Sequence, residues 1–282
     1  MQALSRSLKA EGKTLGLVPT MGFLHEGHLS LVRASKAEND ITIVSIFVNP
    51  TQFAPNEDFG NYPRDFERDK TLLEAEGTDI IFNPSVDDIY PADFSTYVTA
   101  EGISHIGEGE FRPAHFKGVT TIVMILFNST LADHSYFGQK DAQQAAILMK
   151  MVRELCIPVV VHIMPIVREA DGLARSSRNI YLSERERADA LVLSASLAKA
   201  KEMLVNGEHI ACHIKTGLQN MIQKVPTAEP DYVRIVSAET FHEAQTIEEG
   251  KTYFVLLACR FGKARLIDNL FVDMRGHKKL FS

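Results

Sequence analysis

The sequence predicts an α/β protein: a parallel sheet with helices on both faces, followed by a smaller α+β domain. Three observations carry this. Short apolar, β-branched runs alternate with helix-length amphipathic stretches over residues 1–166. Those runs are apolar on both faces, as strands buried in a parallel sheet are. After about Val167 the order changes to helices in succession and then three strand-like runs, which sets a second domain over 167–282.

Taken in order, residues 2–13 are polar and amphipathic and predict a helix. TLGLVP (14–19) predicts the first strand, with a helix over about 28–39. ITIVSIFVN (41–49) is the most apolar strand. A loop rich in Pro and Asn follows, then a helix over about 65–76 and a short strand in TDIIFNP (78–84). GVTTIVMILFNSTLA (118–132) is long enough for a buried helix. HSYFG (134–138) is a strand, DAQQAAILMKMVREL (141–155) a helix and IPVVVHIMP (157–165) a strand. Residues 183–208 predict one long helix, begun by a capping box of Ser183 and Glu186. A helix over about 209–224 and strands in 231–238, 251–261 and 263–272 complete the second domain. Met149, Met151 and Met164 are expected to fill core space.

Composition narrows the function. A net charge of −6 gives no general basic surface for nucleic acid. No apolar run is long enough for a membrane span, and the N-terminus lacks the apolar core of a secretory signal. The three cysteines, Cys156, Cys212 and Cys259, are far apart and form no CxxC pair. They read as reduced, mostly buried thiols of a cytoplasmic protein.

Five stretches carry chemistry. In TMGFLHEGH (20–28), Met21, Gly22, Phe23 and Leu24 turn the chain after a strand, and His25, Glu26 and Gly27 lead into a helix that begins near His28. The free amides and positive end of such a helix suit phosphates, and two imidazoles three residues apart could donate to phosphate oxygens in a transition state. FVNPTQF (47–53) sets Asn49 and Gln52 among apolar residues, which suits a small hydroxylated carboxylate; an Asn-Pro turn explains Asn49 equally well. EFRPAHFKG (110–118) gathers Arg112, His115 and Lys117 in a Pro-containing loop, or is simply a solvated basic loop. YFGQKDAQQ (136–144) places Gly138, Gln139, Lys140, Asp141 and Gln144 at a strand-to-helix junction. LARSSRN (173–179) offers Arg175, Ser176, Ser177 and Arg178, a set that grips phosphates and is also found in ordinary surface turns.

His-x-Gly-His directly after a strand resembles the signature of the nucleotidyltransferase superfamily. The longer PTMGFLHEGHLSL (19–31) resembles the pantothenate synthetase (pantoate–β-alanine ligase) family far more specifically. IFVNPTQF, YPRD, IYP, RPAHFKGV, YFGQKDAQQ, VREADGLARSSRN and ARLIDN agree with it in the same order across most of the chain. The resemblance implies a Rossmann-like sheet, a C-terminal domain closing over the ATP site, and a homodimer in the cytoplasm. It implies ATP-dependent condensation of pantoate with β-alanine through a pantoyl adenylate, with no nucleic-acid or membrane partner. The runner-up is another small-molecule adenylyltransferase of the superfamily.

By the same resemblance His25, His28 and Lys140 are catalytic, with Lys140 bridging the carboxylate and the α-phosphate. Residues 21–28, Gly138, Gln139, Asp141, Val167, Arg175, Ser176, Ser177 and Arg178 line the ATP site. Gln52 and Gln144 hold pantoate, with Asn49, Arg112 and His115 beside them. Mg²⁺ is expected with ATP, and Asp69, after the YPR motif, is its candidate ligand. ARLIDN (264–269) reads as structural. The chain departs from the family pattern at Gln139, where an acidic residue is common, at Ile125, where a lysine is common, and at His134 and Ser135, where the run is usually more apolar.

Overall fold

The computed structural model describes residues 1–54, 59–276 and 280–282; part of the Pro- and Asn-rich loop, 55–58, lies outside them. Compactness divides the chain into two units, Met1–Gly138 with Gln143–Met164, and Gln139–Ala142 with Pro165–Ser282.

The first unit is a five-stranded sheet of β1 (Leu15–Thr20), β2 (Ile41–Ile46), β3 (Ile80–Phe82), β4 (His134–Gly138) and β5 (Val160–Met164). Their spatial order is β3-β2-β1-β4-β5, and every neighbouring pair is parallel. Alternation along the strands splits the core into two layers. Leu15, Leu17 and Ile43 face α6 (His115–Thr130) and α7 (Ala142–Glu154), with Val119, Val123, Phe127 and Leu148 packed on them. Val18, Val44 and Tyr136 face α2 (Glu26–Glu38) and α3 (Phe66–Ala75), meeting Leu29, Val32 and Leu73. The unit also holds α1 (Gln2–Ala10) and the single-turn helices α4 (Val86–Ile89) and α5 (Glu108–Phe111). In a parallel sheet of this order, ligands sit beyond the carboxyl ends of the strands where the order reverses, here after β1 and β4.

The second unit packs α8 (Glu184–Asp189), α9 (Val192–Val205) and α10 (Ala211–Ile222) with an antiparallel sheet. Its strands are β6 (Ala228–Ser237), β7 (Thr252–Phe261), β8 (Ala264–Asp273) and β9 (Leu280–Phe281), in that order. Leu193, Leu197, Ile214 and Leu218 meet Ile235, Val255 and Leu257 in one apolar layer.

Three expectations change. The long helix over 183–208 is two helices. The Ser183–Glu186 capping box is present, but Leu191 and Leu193 donate to carbonyls three residues or fewer back, Ala188 and Ala190. That tightened turn ends α8 and starts α9 while keeping Ala190 and Leu193 inside the core. Met149 is 51% exposed, not core filler. It lies on the opposite face of α7 from Leu148 and Met151, which are buried. Of the cysteines, only Cys259 is buried, and burial pushes its thiol up to about 12; Cys156 and Cys212 are exposed.

Candidate active site

After β1 the chain reverses through Gly22 (φ +81°) and Phe23 (φ 49°), two successive left-handed residues. The turn they make brings the next two amides, of Phe23 and Leu24, to one point where an anion can accept from both. The anion here belongs to the protein. Phe23 N–H and Leu24 N–H donate to the two carboxylate oxygens of Asp69, at 2.6 and 2.7 Å. Gly22 is required twice, for its φ and because a Cβ there would sit 3.0 Å from Asp69 Oδ2. Arg68 completes the clamp: its guanidinium lies 3.4 Å from Asp69 Oδ1 and donates to the Leu24 carbonyl. Burial raises the Asp69 carboxyl above its ordinary range, offset in part by the two amides and by Arg68. The geometry therefore gives Asp69 the task of holding the turn. Both oxygens are committed inward beside a cation, an arrangement that does not fit a Mg²⁺ ligand.

Helix α2 begins at Glu26, earlier than expected, with His25 as its N-cap. The two histidines cap it reciprocally. Gly27 N–H donates to His25 Nδ1 at 3.1 Å, and His25 N–H donates to His28 Nδ1 at 3.3 Å. The amides expected to face phosphate are thus partly taken by the imidazoles themselves. The exchange fixes chemistry in return: with Nδ1 accepting, each neutral ring carries its proton on Nε2. The ring centroids are 4.1 Å apart. Gly27 is what allows this, since a Cβ there would lie 2.9 Å from the His25 ring. Leu24 is fully buried and serves the core, and the Glu26 carboxylate is engaged by Arg33.

Beside this turn stands a second polar group of the same unit. Asn49 caps the short 3₁₀ turn Pro50–Gln52 and is 1% exposed. Its amide donates to Gln52 Oε1 at 3.0 Å and to the Gly118 carbonyl, and its oxygen accepts from Thr51 and from Tyr90 OH. With all its groups engaged, Asn49 orients Gln52. The Gln52 amide in turn reaches Met21 Sδ at 3.1 Å, which links this turn to the His-x-Gly-His loop. His115 Nδ1–H donates to the Gln52 carbonyl, and Arg112 donates both to that carbonyl and to His115 Nε2. His115 opens α6 instead of lying in the preceding loop. A cleft of about 270 Å³, lined by Met21, Gly22, Phe47, Arg64, Asp69 and Asn83 among others, opens at this carboxyl edge. Gln144 is half-buried on α7. Its neighbour Gln143, inside the same YFGQKDAQQ stretch but given no role from the sequence, donates to the Ile103 and Ile106 carbonyls and accepts from Glu108 N–H.

In the second unit, Gln139 is turned away from its expected ligand role. It is 8% exposed, and its amide donates to Asn269 Oδ1 and the Ser282 carbonyl. Asn269 closes the loop by donating to the Gln139 and Lys140 carbonyls. ARLIDN is structural here: Asn269 holds the Lys140 backbone, and Asp268 takes a bidentate pair from Arg168 at 2.7 and 2.9 Å. Lys140 is half-buried and Asp141 exposed. Val167 and Arg175 flank a tight hairpin, in which Arg175 N–H donates to the Val167 carbonyl around Asp171–Gly172. The Arg175 guanidinium pairs with Glu169. Ser176 caps the turn Ser177–Tyr181 by accepting from Arg178 N–H, and Ser177 is buried. The Asp-Gly turn was a signal open to sequence reading; the Gln139–Asn269 and Phe23–Asp69 pairings, across more than forty residues, were not.

A doubly wound parallel sheet with paired, oriented imidazoles at its switch point defines a nucleotide-handling α/β enzyme. The model of the pantoate–β-alanine ligase family matches residues 1–271. The Caldicellulosiruptor bescii pantothenate synthetase is 54% identical over 98% of this chain and 97% of its own length. The crystal structure of pantothenate synthetase from Thermus thermophilus superposes with a TM-score of 0.88 at 43% identity, covering 94% of this chain and 96% of that one. That of the Francisella tularensis ligase, complexed with β,γ-ATP and β-alanine, gives 0.74 at 34% identity over 95% and 93%. The chain belongs to the pantoate–β-alanine ligase family. Among the described residues, no helix is long and apolar enough to cross a membrane.

Proposed function

We propose that the chain condenses pantoate with β-alanine in two steps at the carboxyl edge of the parallel sheet. A pantoate carboxylate oxygen attacks the α-phosphorus of ATP, forming the P–O bond of a pantoyl adenylate and expelling pyrophosphate. The β-alanine amine then attacks the acyl carbon, loses a proton as the amide forms, and releases AMP. The observation that carries this reading is the Gln52–Met21 contact, which sets an oriented amide for a small hydroxy acid against the loop of the oriented histidines.

The difficulty of the first step is that an anion approaches a polyanion. In this reading Nε2–H of His25 and His28 donates to phosphate oxygens as charge builds, where a preorganised donor acts most strongly. Gln52 and Gln144 hold pantoate, with Arg112 and His115 fixing the Gln52 backbone. On the second unit, Lys140, Ser176, Ser177 and Arg178 are assigned to the carboxylate and phosphates, and Asp141, Val167 and Arg175 to their surroundings, as is Gly138 at the end of β4 on the first unit. Mg²⁺ accompanies ATP as its counter-ion, held by phosphate and water and not by Asp69. The homodimer and the cytoplasmic location belong to the same proposal; sedimentation checks the first.

The deciding assay incubates protein, ATP, Mg²⁺ and pantoate with and without β-alanine. Pyrophosphate is expected without β-alanine, up to about one equivalent, with AMP and pantothenate only when it is added. Multiple turnovers without β-alanine would instead favour a transferase that leaves the nucleotide on its product. Gln52→Ala is expected to raise the pantoate KM by about tenfold or more while the ATP KM stays within about twofold. An unchanged pantoate KM would remove Gln52 from that role.

A further inference from the structure

The two departures of the fourth strand from an apolar run leave one residue unexplained by the reaction. His134 is the first residue of β4, at the end of the sheet opposite the loops described above. Its Nδ1 lies 2.8 Å from Nε2 of His162 on the adjacent β5. Glu38, the last residue of α2, brings Oε2 to 3.6 Å from the same His162 nitrogen. One ligand atom from each of the three lies within 4.8 Å of the others.

We propose that Glu38, His134 and His162 form a binding site for a divalent transition ion of the zinc type, separate from the catalytic centre. Two imidazoles and one carboxylate suit Zn²⁺, and three protein ligands leave a fourth position to water. At Zn–N distances of about 2.0–2.1 Å, tetrahedral ligands stand roughly 3.3 Å apart. That requires the imidazole pair to open by roughly half an ångström and turn both nitrogens toward a common point, with the half-exposed Glu38 drawn inward. The surroundings hold the ligands in place. Tyr136, fully buried, donates its hydroxyl to Glu38 Oε2 at 2.7 Å, and its ring stacks on His162 with centroids 4.7 Å apart. Asn39 donates to the Tyr136 oxygen at 2.8 Å. A carboxylate fixed by a second residue and a ring fixed by stacking are the supports that metal ligands need. The imidazole–imidazole hydrogen bond rests on one N–H, and a neutral ring moves that proton to its other nitrogen when the metal takes its place. Ten residues of α2 separate Glu38 from His28, so the site stands roughly 15 Å from the catalytic loop.

The test titrates the full-length chain, free of nucleotide, with Co²⁺ and then Zn²⁺, following visible cobalt absorption and calorimetric stoichiometry. One equivalent is expected, with Zn²⁺ displacing Co²⁺. His134→Ala, His162→Ala and Glu38→Gln should each weaken Zn²⁺ by about tenfold or more. His28→Ala should leave the metal affinity unchanged, which separates this site from the imidazole pair of the catalytic loop. His134→Leu restores the usual apolar character of the strand and serves where an alanine variant fails to fold. Pantothenate formation by His134→Ala is expected to match the parent. Stoichiometry that survives both histidine substitutions, or that is lost with His28→Ala, overturns the proposal.

Discussion

His28→Ala is expected to slow formation of the pantoyl adenylate about a hundred- to a thousandfold in single turnover, the usual consequence of deleting one preorganised donor to a developing oxyanion. The structure adds a complication that can be separated. His28 Nδ1 also accepts the His25 amide, so the alanine removes part of a helix cap, worth about 1 kcal/mol. Asn places an acceptor close to the Nδ1 position and Gln extends a donor toward the Nε2 position. His28→Asn should recover stability without rate, and His28→Gln part of the rate. Near-parental single-turnover rates in the alanine variant would take His28 out of the chemistry.

The second large effect is Asp69→Asn. It replaces one acceptor oxygen with an amide NH₂ facing a backbone N–H, which breaks one of the two short bonds and leaves that N–H unsatisfied. A cost of about 3 kcal/mol is expected in denaturant unfolding, with adenylate formation falling as the 21–24 turn loosens. A Mg²⁺ ligand would behave otherwise: excess Mg²⁺ would restore the rate, and stability would hardly change. The pH dependence follows from the raised carboxyl. Between its ordinary value and its folded value, the native protein holds a proton that the unfolded chain has released. Stability from this group is therefore fully present below the ordinary value and is lost as pH rises through the folded one. The ionised form is nevertheless the one that accepts both amides. On acidification, activity should fall through the folded Asp69 pKa before acid costs the fold anything through this residue. Asp273, held down to about 2 by Arg275, titrates far lower. A rate that stays flat while Asp69 titrates would contradict the loop's dependence on it.

What was legible in the sequence was local. The parallel strands announce themselves by β-branched apolar runs, and the capping box at Ser183 and Glu186 by spacing. The polar side chains gathered after the strands were also legible as residue types. Their directions were not. Asp69 reads as a ligand because it is acidic and follows a motif, yet its partners are amides forty-five and forty-six residues away. Gln139 sits inside the most specific junction of the chain and faces inward because Asn269, 130 residues later, fills its hydrogen-bonding capacity. The break at Ala190–Leu191 has no Gly or Pro to mark it; the demand of the core for both Ala190 and Leu193 produces it. No sequence period records such pairings, because they are made by folding and not by neighbours.

The reciprocal capping of α2 bears on mutational robustness. A glycine-rich phosphate cradle is built from backbone amides, which every residue but proline carries, so most substitutions leave its donors in place. Here the Phe23, Leu24, His25 and Gly27 amides are bonded to Asp69 and to the two imidazoles. What this loop presents outward in their stead is side-chain nitrogen. Replacing either histidine with a residue that has no side-chain N–H deletes a donor outright, and the Phe23, Leu24, His25 and Gly27 amides are already committed. The loop has traded tolerance for a fixed tautomer, so variation should be confined to the faces of α2 away from His25 and His28.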